Sequence, residues 1–314
     1  MVRAVTMTSE SGGEGKTFIA TNLSAALARR GNDVLAIDCD PQNGSLTSHI
    51  GGGEWKNLKT QDDANIVNCL TGDEEITNCI YEGPGFDFVP GHESLANLEQ
   101  MTAVDRSIQM PQSLLRNQIE KLTDDYDYFI IDPPATLSLP LDNALFAARN
   151  VLAPVELSQK GIDNIRGLER TLDSMEDGLE EAGIDININI LSVIPNLIGD
   201  SNIYDAIRDE LTDDGALLTP FSFRNRDVLK YAWRERVDLF TYNQMNESEF
   251  IHSECRPMYD YEVDLLVKID RLAQLIEEEW TPADGYDDTD VIDQWNAIVS
   301  EYPGYEERIA VGAN

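Results

Sequence analysis

Six consecutive residues near the start of the chain, Gly12-Gly13-Glu14-Gly15-Lys16-Thr17, have the types and order that phosphate chemistry requires. A phosphate chain needs backbone N–H groups at close range, which glycines permit. It also needs a helix N-terminus behind it, for the dipole and the unpaired amides. In such a loop Lys16 reaches the β- and γ-phosphates of a nucleotide, and the Thr17 hydroxyl holds Mg²⁺. Two residues depart from the usual patterns. Glu10 stands where an opening Gly is common, and Ser11 stands where one variety of these loops places a Lys just before the Gly-Gly pair. The charge of that Lys must come from elsewhere, or the loop must work without it.

Two acidic elements follow. "DCDPQNGS" places Asp38 and Asp40 at the end of an apolar run, and "FIIDPPA" places Asp132 at the end of another. A carboxylate in such a place can orient water for attack on a γ-phosphate or hold Mg²⁺ through water. An acid at a strand end is often only a helix cap, but the glycine loop upstream weighs against that reading.

These residues need a frame. "VRAVTMTS", the glycine loop and "KTFIATNLSAALARRG" read as strand, turn and helix, with Phe18, Ile19, Leu23, Ala26 and Leu27 at helical spacing. "DVLAIDCD", "FDFVPG", "YDYFIIDPP", "NVLAPVELS", "INILSVIPN" and "GALLTPFSF" read as further strands. Helices are expected at "SLLRNQIEKLT", across 163–182, at "RDVLKYAWRERV" and in a long closing segment, "YDYEVDLLVKIDRLAQLIEEEW". Residues 51–85 read as a loop-rich polar insertion with one short helix. Strands alternating with helices imply an α/β fold: a mostly parallel twisted sheet with helices on both faces, and ligands at the carboxyl ends of the strands. The expected division is an ATPase domain over 1–280 and an acidic tail over 281–314. The tail holds one amphipathic helix, with Val291, Ile292, Trp295, Ile298 and Val299 on a face.

In order and spacing, "GGEGKT", "IDCDPQ" and "YDYFIIDPPATLS" resemble the ParA/MinD family of deviant P-loop ATPases. "NALFAARNVLAPVE", "ILSVIPN" and "FSFRNRDVLKYAWRERVDLF" extend the resemblance over roughly residues 1–280. It implies the P-loop NTPase fold, ATP and Mg²⁺ as cofactors, and a homodimer closed on ATP and released by hydrolysis. It places Ser11, Gly12, Gly13, Glu14, Gly15, Lys16, Thr17 and Phe18 on the nucleotide. Thr17, Asp40 and Asp132 are implied at Mg²⁺, Asp40 as the water-positioning acid, and Asp132 as the Mg²⁺-linked acid. Asn196 is implied as the reader of adenine. Ser11 stands at the family's signature lysine, as in its carboxysome-positioning branch. Of the seven lysines, Lys160 directly follows a strand at the ligand edge, and it is the candidate to supply the missing charge across the dimer. Lys56 and Lys59 fall in the insertion, away from the expected site.

A second constellation is "RNRDVLKYAWRER", with Arg224, Arg226, Lys230, Arg234 and Arg236 in a chain of 58 acids and 23 bases. At spacings of i, i+4 and i+8, Arg226, Lys230 and Arg234 would share one helix face, a stripe suited to sequence-independent contact with DNA phosphates. The plainer reading is a solvated face paired locally to Asp227 and Glu235. The formal charge is −35, yet 42% of residues are hydrophobic, which argues for a folded protein of a high-salt cytoplasm. The expected behaviour is therefore a cytoplasmic switch, nucleoid-associated when ATP-bound. It would position a cargo and be reset with help from an adaptor protein that stimulates hydrolysis. A membrane-bound MinD-like switch needs a basic C-terminal amphipathic helix, and this one is acidic. An iron–sulfur carrier needs clustered cysteines, whereas Cys39, Cys69, Cys79 and Cys255 are scattered. A dethiobiotin-type ligase would lack the basic stripe. A regulator that binds ATP with little turnover stays open because of Glu10 and Ser11.

Overall fold

The structure is a computed structural model that describes residues 3–199, 203–278, 291–302 and 304–305. The first half of the chain alternates β1 (Arg3–Met7), α1 (Lys16–Arg29), β2 (Val34–Asp38), α2 (Leu46–Ile50), α3 (Trp55–Leu58), α4 (Ile66–Thr71), β3 (Tyr81–Glu82), β4 (Asp87–Val89), α5 (Leu98–Val104) and α6 (Leu114–Ile119). The second half runs β5 (Tyr128–Asp132), α7 (Leu139–Ala148), β6 (Asn150–Glu156), α8 (Gln159–Glu181), β7 (Asn189–Asn196), α9 (Ile203–Asp213), α10 (Asp227–Glu235), α11 (Leu239–Gln244), α12 (Asp264–Glu277) and α13 (Val291–Glu301). Seven strands form one sheet in the order β3-β4-β2-β5-β1-β6-β7. All neighbours are parallel except the β3–β4 pair at one edge.

The strands are apolar runs because both faces of the sheet are covered. Along β5, Tyr128 and Ile130 join the core under α1 and α12, while Phe129 and Ile131 join the core on the other face, with Ile66, Leu115 and Ala144. A third cluster packs α8 and α9 against β6 and β7. This layering brings the ends of β1, β2 and β5 together at one edge, where the glycine loop and the acids lie.

Two expectations are corrected. "GALLTPFSF" is not a regular strand. It runs beside β7 through isolated bridges, with Val193 N–H on the Leu217 carbonyl (2.8 Å) and Phe223 N–H on the Pro195 carbonyl (2.8 Å). Pro220 interrupts this segment and has no N–H for a ladder. The 51–85 insertion holds more order than one short helix: α3, α4, two 3₁₀ turns and β3.

The boundary expected at 280, and 281–290 with it, lies outside the described residues. α13 packs back on the domain, with Val291, Trp295 and Ile298 against the core under α1, while Ile292 stays exposed. Beyond it Tyr305 is buried. Its hydroxyl donates to Asp270 Oδ1 at 2.7 Å, and Arg29 donates to its carbonyl at 2.5 Å with the guanidinium over the ring. Arg30 holds the other oxygen of Asp270 at 3.0 Å. Tyr305→Phe would leave one oxygen of a buried carboxylate unmet, and the expected loss is about 1–3 kcal/mol in urea denaturation. A loss below about 0.5 kcal/mol would show that the hydroxyl bond adds nothing to docking of this segment.

Candidate active site

α1 begins at Lys16 behind Gly15, which has φ 94° and no side chain to cap the helix. The first turn carries no acid either. By contrast Ser158 caps α8, Asn65 caps α4 and Asp238 caps α11. The α1 amides are therefore left for an external acceptor. A Cβ on Gly15 would stand 2.1 Å from Asn196 Nδ2, so only glycine lets the loop lie against β7 here.

The loop is held from behind by α8. Asn164 is buried and donates to Ser11 Oγ (3.1 Å) and Glu14 Oε1 (2.6 Å). The Glu10 carboxylate occupies the space a Cβ on Gly167 would need, at 2.2 Å. Glu14 is buried too, and desolvation pushes its carboxyl up, opposed by bonds from Ser9 and Asn164 and by the charges of Lys16 and Lys160. Lys16 is buried and folded onto its own loop, at 3.2 Å from Ser9 Oγ and 3.1 Å from the Ser11 carbonyl. Burial lowers its pKa, and Asp132, Glu14 and Asp40 raise it in turn.

Asp38 and Asp132 are register partners on adjacent strands. Their surroundings separate their roles. Asp38 is fully buried and satisfied. It accepts from Ser45 Oγ (2.6 Å), Thr47 N (2.9 Å), Thr47 Oγ1 (2.5 Å) and Asp40 N (3.0 Å). Among the described residues the Asp132 carboxylate accepts from Thr17 Oγ1 (2.7 Å) alone, and its Oδ1 is buried without a partner. Burial, and then the charge of Asp38, push Asp132 up to about 7. Asp40 is half-buried and is also raised, chiefly by desolvation.

These features fit a Mg²⁺–nucleotide. A cation would relieve the raised acids; the Thr17 hydroxyl lies on Asp132 Oδ2, and Asp132 Oδ1 is buried without a partner. No group of three or more metal-ligating side chains occurs among the described residues. Mg²⁺ in such sites takes one or two protein oxygens and completes its shell with phosphates and water. A cavity of about 340 Å³ opens beside the loop, lined by Gly15, Phe18, Asn196, Leu197, Asn225 and Trp233, among others. Asn196 donates to the Glu14 carbonyl at 2.8 Å, and its own Oδ1 is buried and unpaired.

The structure brings the loop, Asp40, Asp132, Phe18 and Asn196 to one end of the sheet. Lys160 lies exposed in the first turn of α8, near enough for its charge to act on Glu14. One residue was missed. Lys59 reaches out of the insertion to the acid loop, 3.8 Å from Asp38 Oδ2. No motif spacing marks it; only its burial at 2% exposure does.

The basic stripe is not brought together as expected. α10 starts at Asp227, so Arg226 is its N-cap and turns away to Asp264 (3.2 Å) and the Tyr261 ring. Arg236 ends the helix with φ 61° and donates to the Ser48 carbonyl. Arg224, Lys230 and Arg234 are exposed, with Lys230 paired to Asp227 (2.8 Å) and Arg234 to Glu254 (3.0 Å).

A parallel sheet with an uncapped glycine loop, a Lys-Thr pair and strand-end acids defines a P-loop nucleotide-binding protein. A family model described as an AAA domain matches residues 2–213. The chain belongs to this family of ParA/Soj-type P-loop ATPases. The chromosome-partitioning ATPase Soj of Thermus thermophilus is 33% identical over 181 residues, 57% of this chain and 64% of that protein. The chromosome partitioning protein ParA of Caulobacter vibrioides is 29% identical over 187 residues, 57% of this chain and 65% of that one. The chain spans a little under two thirds of the length of most curated relatives it matches. An ATP complex of McdA from Cyanothece shares the fold, with a TM-score of 0.63 and 21% identity over 88% of this chain and 95% of that one.

The Asp132 carboxyl gives the nucleotide-free protein a pH dependence. Its folded pKa lies above the ordinary 3.8, so between 3.8 and about 7 the folded state binds more proton than the unfolded one. Stability from this group is full below that window and lost as pH rises through it. Asp132→Asn should remove the slope, so its denaturation midpoint gains on wild type from pH 4 to 7. A constant difference between the two proteins would refute the assignment.

Proposed function

We propose that the chain is an ATP-dependent switch that binds ATP with Mg²⁺, dimerises, associates with DNA without sequence preference, and is reset by hydrolysis. As in the partition ATPases it resembles, the switch would serve to distribute or position a cargo. The observation that carries this reading is the clasp of Thr17 on Asp132, with Lys16 beside it and the open N-terminus of α1 behind.

On nucleotide binding Lys16 exchanges its contacts with Ser9 and Ser11 for phosphate oxygens, and the free α1 amides point at the same charge. When Mg²⁺ is bound, it would supply positive charge against the charge that develops in transfer. Thr17 and Asp132 supply its protein side. Asp40 orients the attacking water, and Asn196 offers its unpaired oxygen to the exocyclic amine of adenine. Lys160, exposed in the first turn of α8, would act on a facing subunit in place of the lysine that Ser11 replaces. A stimulating adaptor protein would set the timing of hydrolysis.

For DNA the support is narrower than five clustered bases. It rests on Arg224, Lys230 and Arg234, whose exposed groups lie within 11 positions in a chain of charge −35. Such an acidic chain suits a high-salt cytoplasm, where at ~1 M the Debye length is about 3 Å and phosphate contacts must be close ones.

Fluorescence anisotropy on random-sequence duplex, with ATP-Mg²⁺, ADP-Mg²⁺ or no nucleotide, tests this. Binding is expected only with ATP. Arg224→Glu with Arg234→Glu should lower the slope of log K against log salt by about 2, for two lost phosphate contacts. No binding in any state, with ATP-driven dimerisation intact, would remove DNA from the reading.

A further inference from the structure

The insertion between α2 and β3 sends the amine of Lys59 to the acid loop. It is 2% exposed. Its donors reach the Asp40 carbonyl (2.8 Å), the Gln42 carbonyl (2.6 Å) and Ser45 Oγ (2.8 Å). A lysine has three N–H donors, and all three are spent within six residues of one loop. A buried ammonium persists only where its donors and charge are met, and Asp38 Oδ2 at 3.8 Å supplies the charge. The Lys59 backbone is fixed in turn, because its carbonyl accepts from Glu93 N–H at 3.0 Å. The segment after β4 also presses close to Asp38. A Cβ on Gly91 would stand 2.7 Å from the carboxyl carbon, and Gly91 N–H donates to Thr47 Oγ1 at 2.8 Å.

We propose that Lys59 is a positioning residue for ATP hydrolysis. It clamps the Asp40–Ser45 loop from beneath, so that Asp40 is presented to the attacking water. It also balances Asp38, so that one carboxylate fewer opposes the phosphates. Lys59 does not touch nucleotide, since its donors are committed to the loop. This rests on Asp40 being the water-positioning acid. The segment that carries the clamp is the insertion, so the insertion serves the site as well as the sheet edge.

Three variants test the clamp: Lys59→Met, Lys59→Arg, and Lys59→Met combined with Asp38→Asn. The double variant removes both charges and guards against a fold lost to an unpaired Asp38. Calorimetry with ATP-Mg²⁺, steady-state turnover and amide hydrogen exchange are read on each. Lys59→Met, or the double variant where the single one does not fold, should bind ATP-Mg²⁺ within about threefold of wild type yet turn over roughly 10- to 100-fold more slowly. Amides 40–45 should exchange faster while those of the glycine loop do not, and Lys59→Arg should recover part of both. Wild-type turnover, or wild-type exchange at 40–45, in the Met variants would overturn the proposal. If the wild-type protein binds ATP but does not hydrolyse it, the reading of Asp40 fails, and the exchange data still decide whether Lys59 holds the loop.

Discussion

Two carboxylates on neighbouring parallel strands, Asp38 and Asp132, are register partners inside a desolvated sheet edge, and the rest of the site answers to that pairing. Like charges this close cannot both be left bare. The fold resolves the conflict asymmetrically. Asp38 receives four hydrogen bonds and the Lys59 ammonium, so its charge is spent on structure. Asp132 receives one hydroxyl, is pushed up to about 7, and keeps a buried oxygen unbonded. An acid held in that condition is poised for a cation. The uncapped start of α1, a few ångströms of chain away at Thr17, is open to the anion that would bring the cation with it.

The departures at Glu10 and Ser11 gain a physical meaning against α8. Both side chains are turned toward that helix, Ser11 onto Asn164 and Glu10 onto the bare backbone at Gly167. The loop is therefore tied down within its own subunit, at the position where a signature lysine would project from it. Glu14 joins the same fastening, one oxygen on Asn164 and its main-chain carbonyl under Asn196. What the loop loses in reach it gains in definition, since its conformation is set by α8 and β7 before any nucleotide arrives.

Much of this was legible in the chain because it is local. The runs of β2, β5 and β7 are largely apolar since both sheet faces are buried, and they end in Asp38, Asp132 and Asn196. The glycine loop declares itself because backbone approach to phosphate admits few other residues. What was not legible depends on contacts across long separations. Lys59 meets a loop 14 to 19 positions earlier through an insertion whose path no periodicity predicts. The basic stripe was misjudged by one residue. Helical spacing placed Arg226 on the face of Lys230 and Arg234, but the helix starts after it, and a cap residue with φ −124° points elsewhere. The segment before it failed as a strand for a local reason, Pro220, which the apolar pattern concealed.

The acid loop and α10 are not independent bodies. α2 begins where that loop ends, and its Thr47 bonds Asp38 while its His49 stacks on Trp233 of α10 at 4.3 Å. His49 also meets the Val237 carbonyl at 2.9 Å, and Arg236 donates to Ser48 beside it. Burial lowers the His49 pKa to about 4, so the ring is neutral at physiological pH and the stack is an apolar contact. α10 in turn walls the cavity next to Gly15 and Asn196 through Leu229, Lys230 and Trp233. One short helix thus walls the cavity beside Gly15 and Asn196, and through His49 of α2 it joins the element that holds Asp38. It also carries Lys230 and Arg234 on its exposed face. For the switch proposed above, the surface that would meet a partner would share its packing with the wall of the cavity.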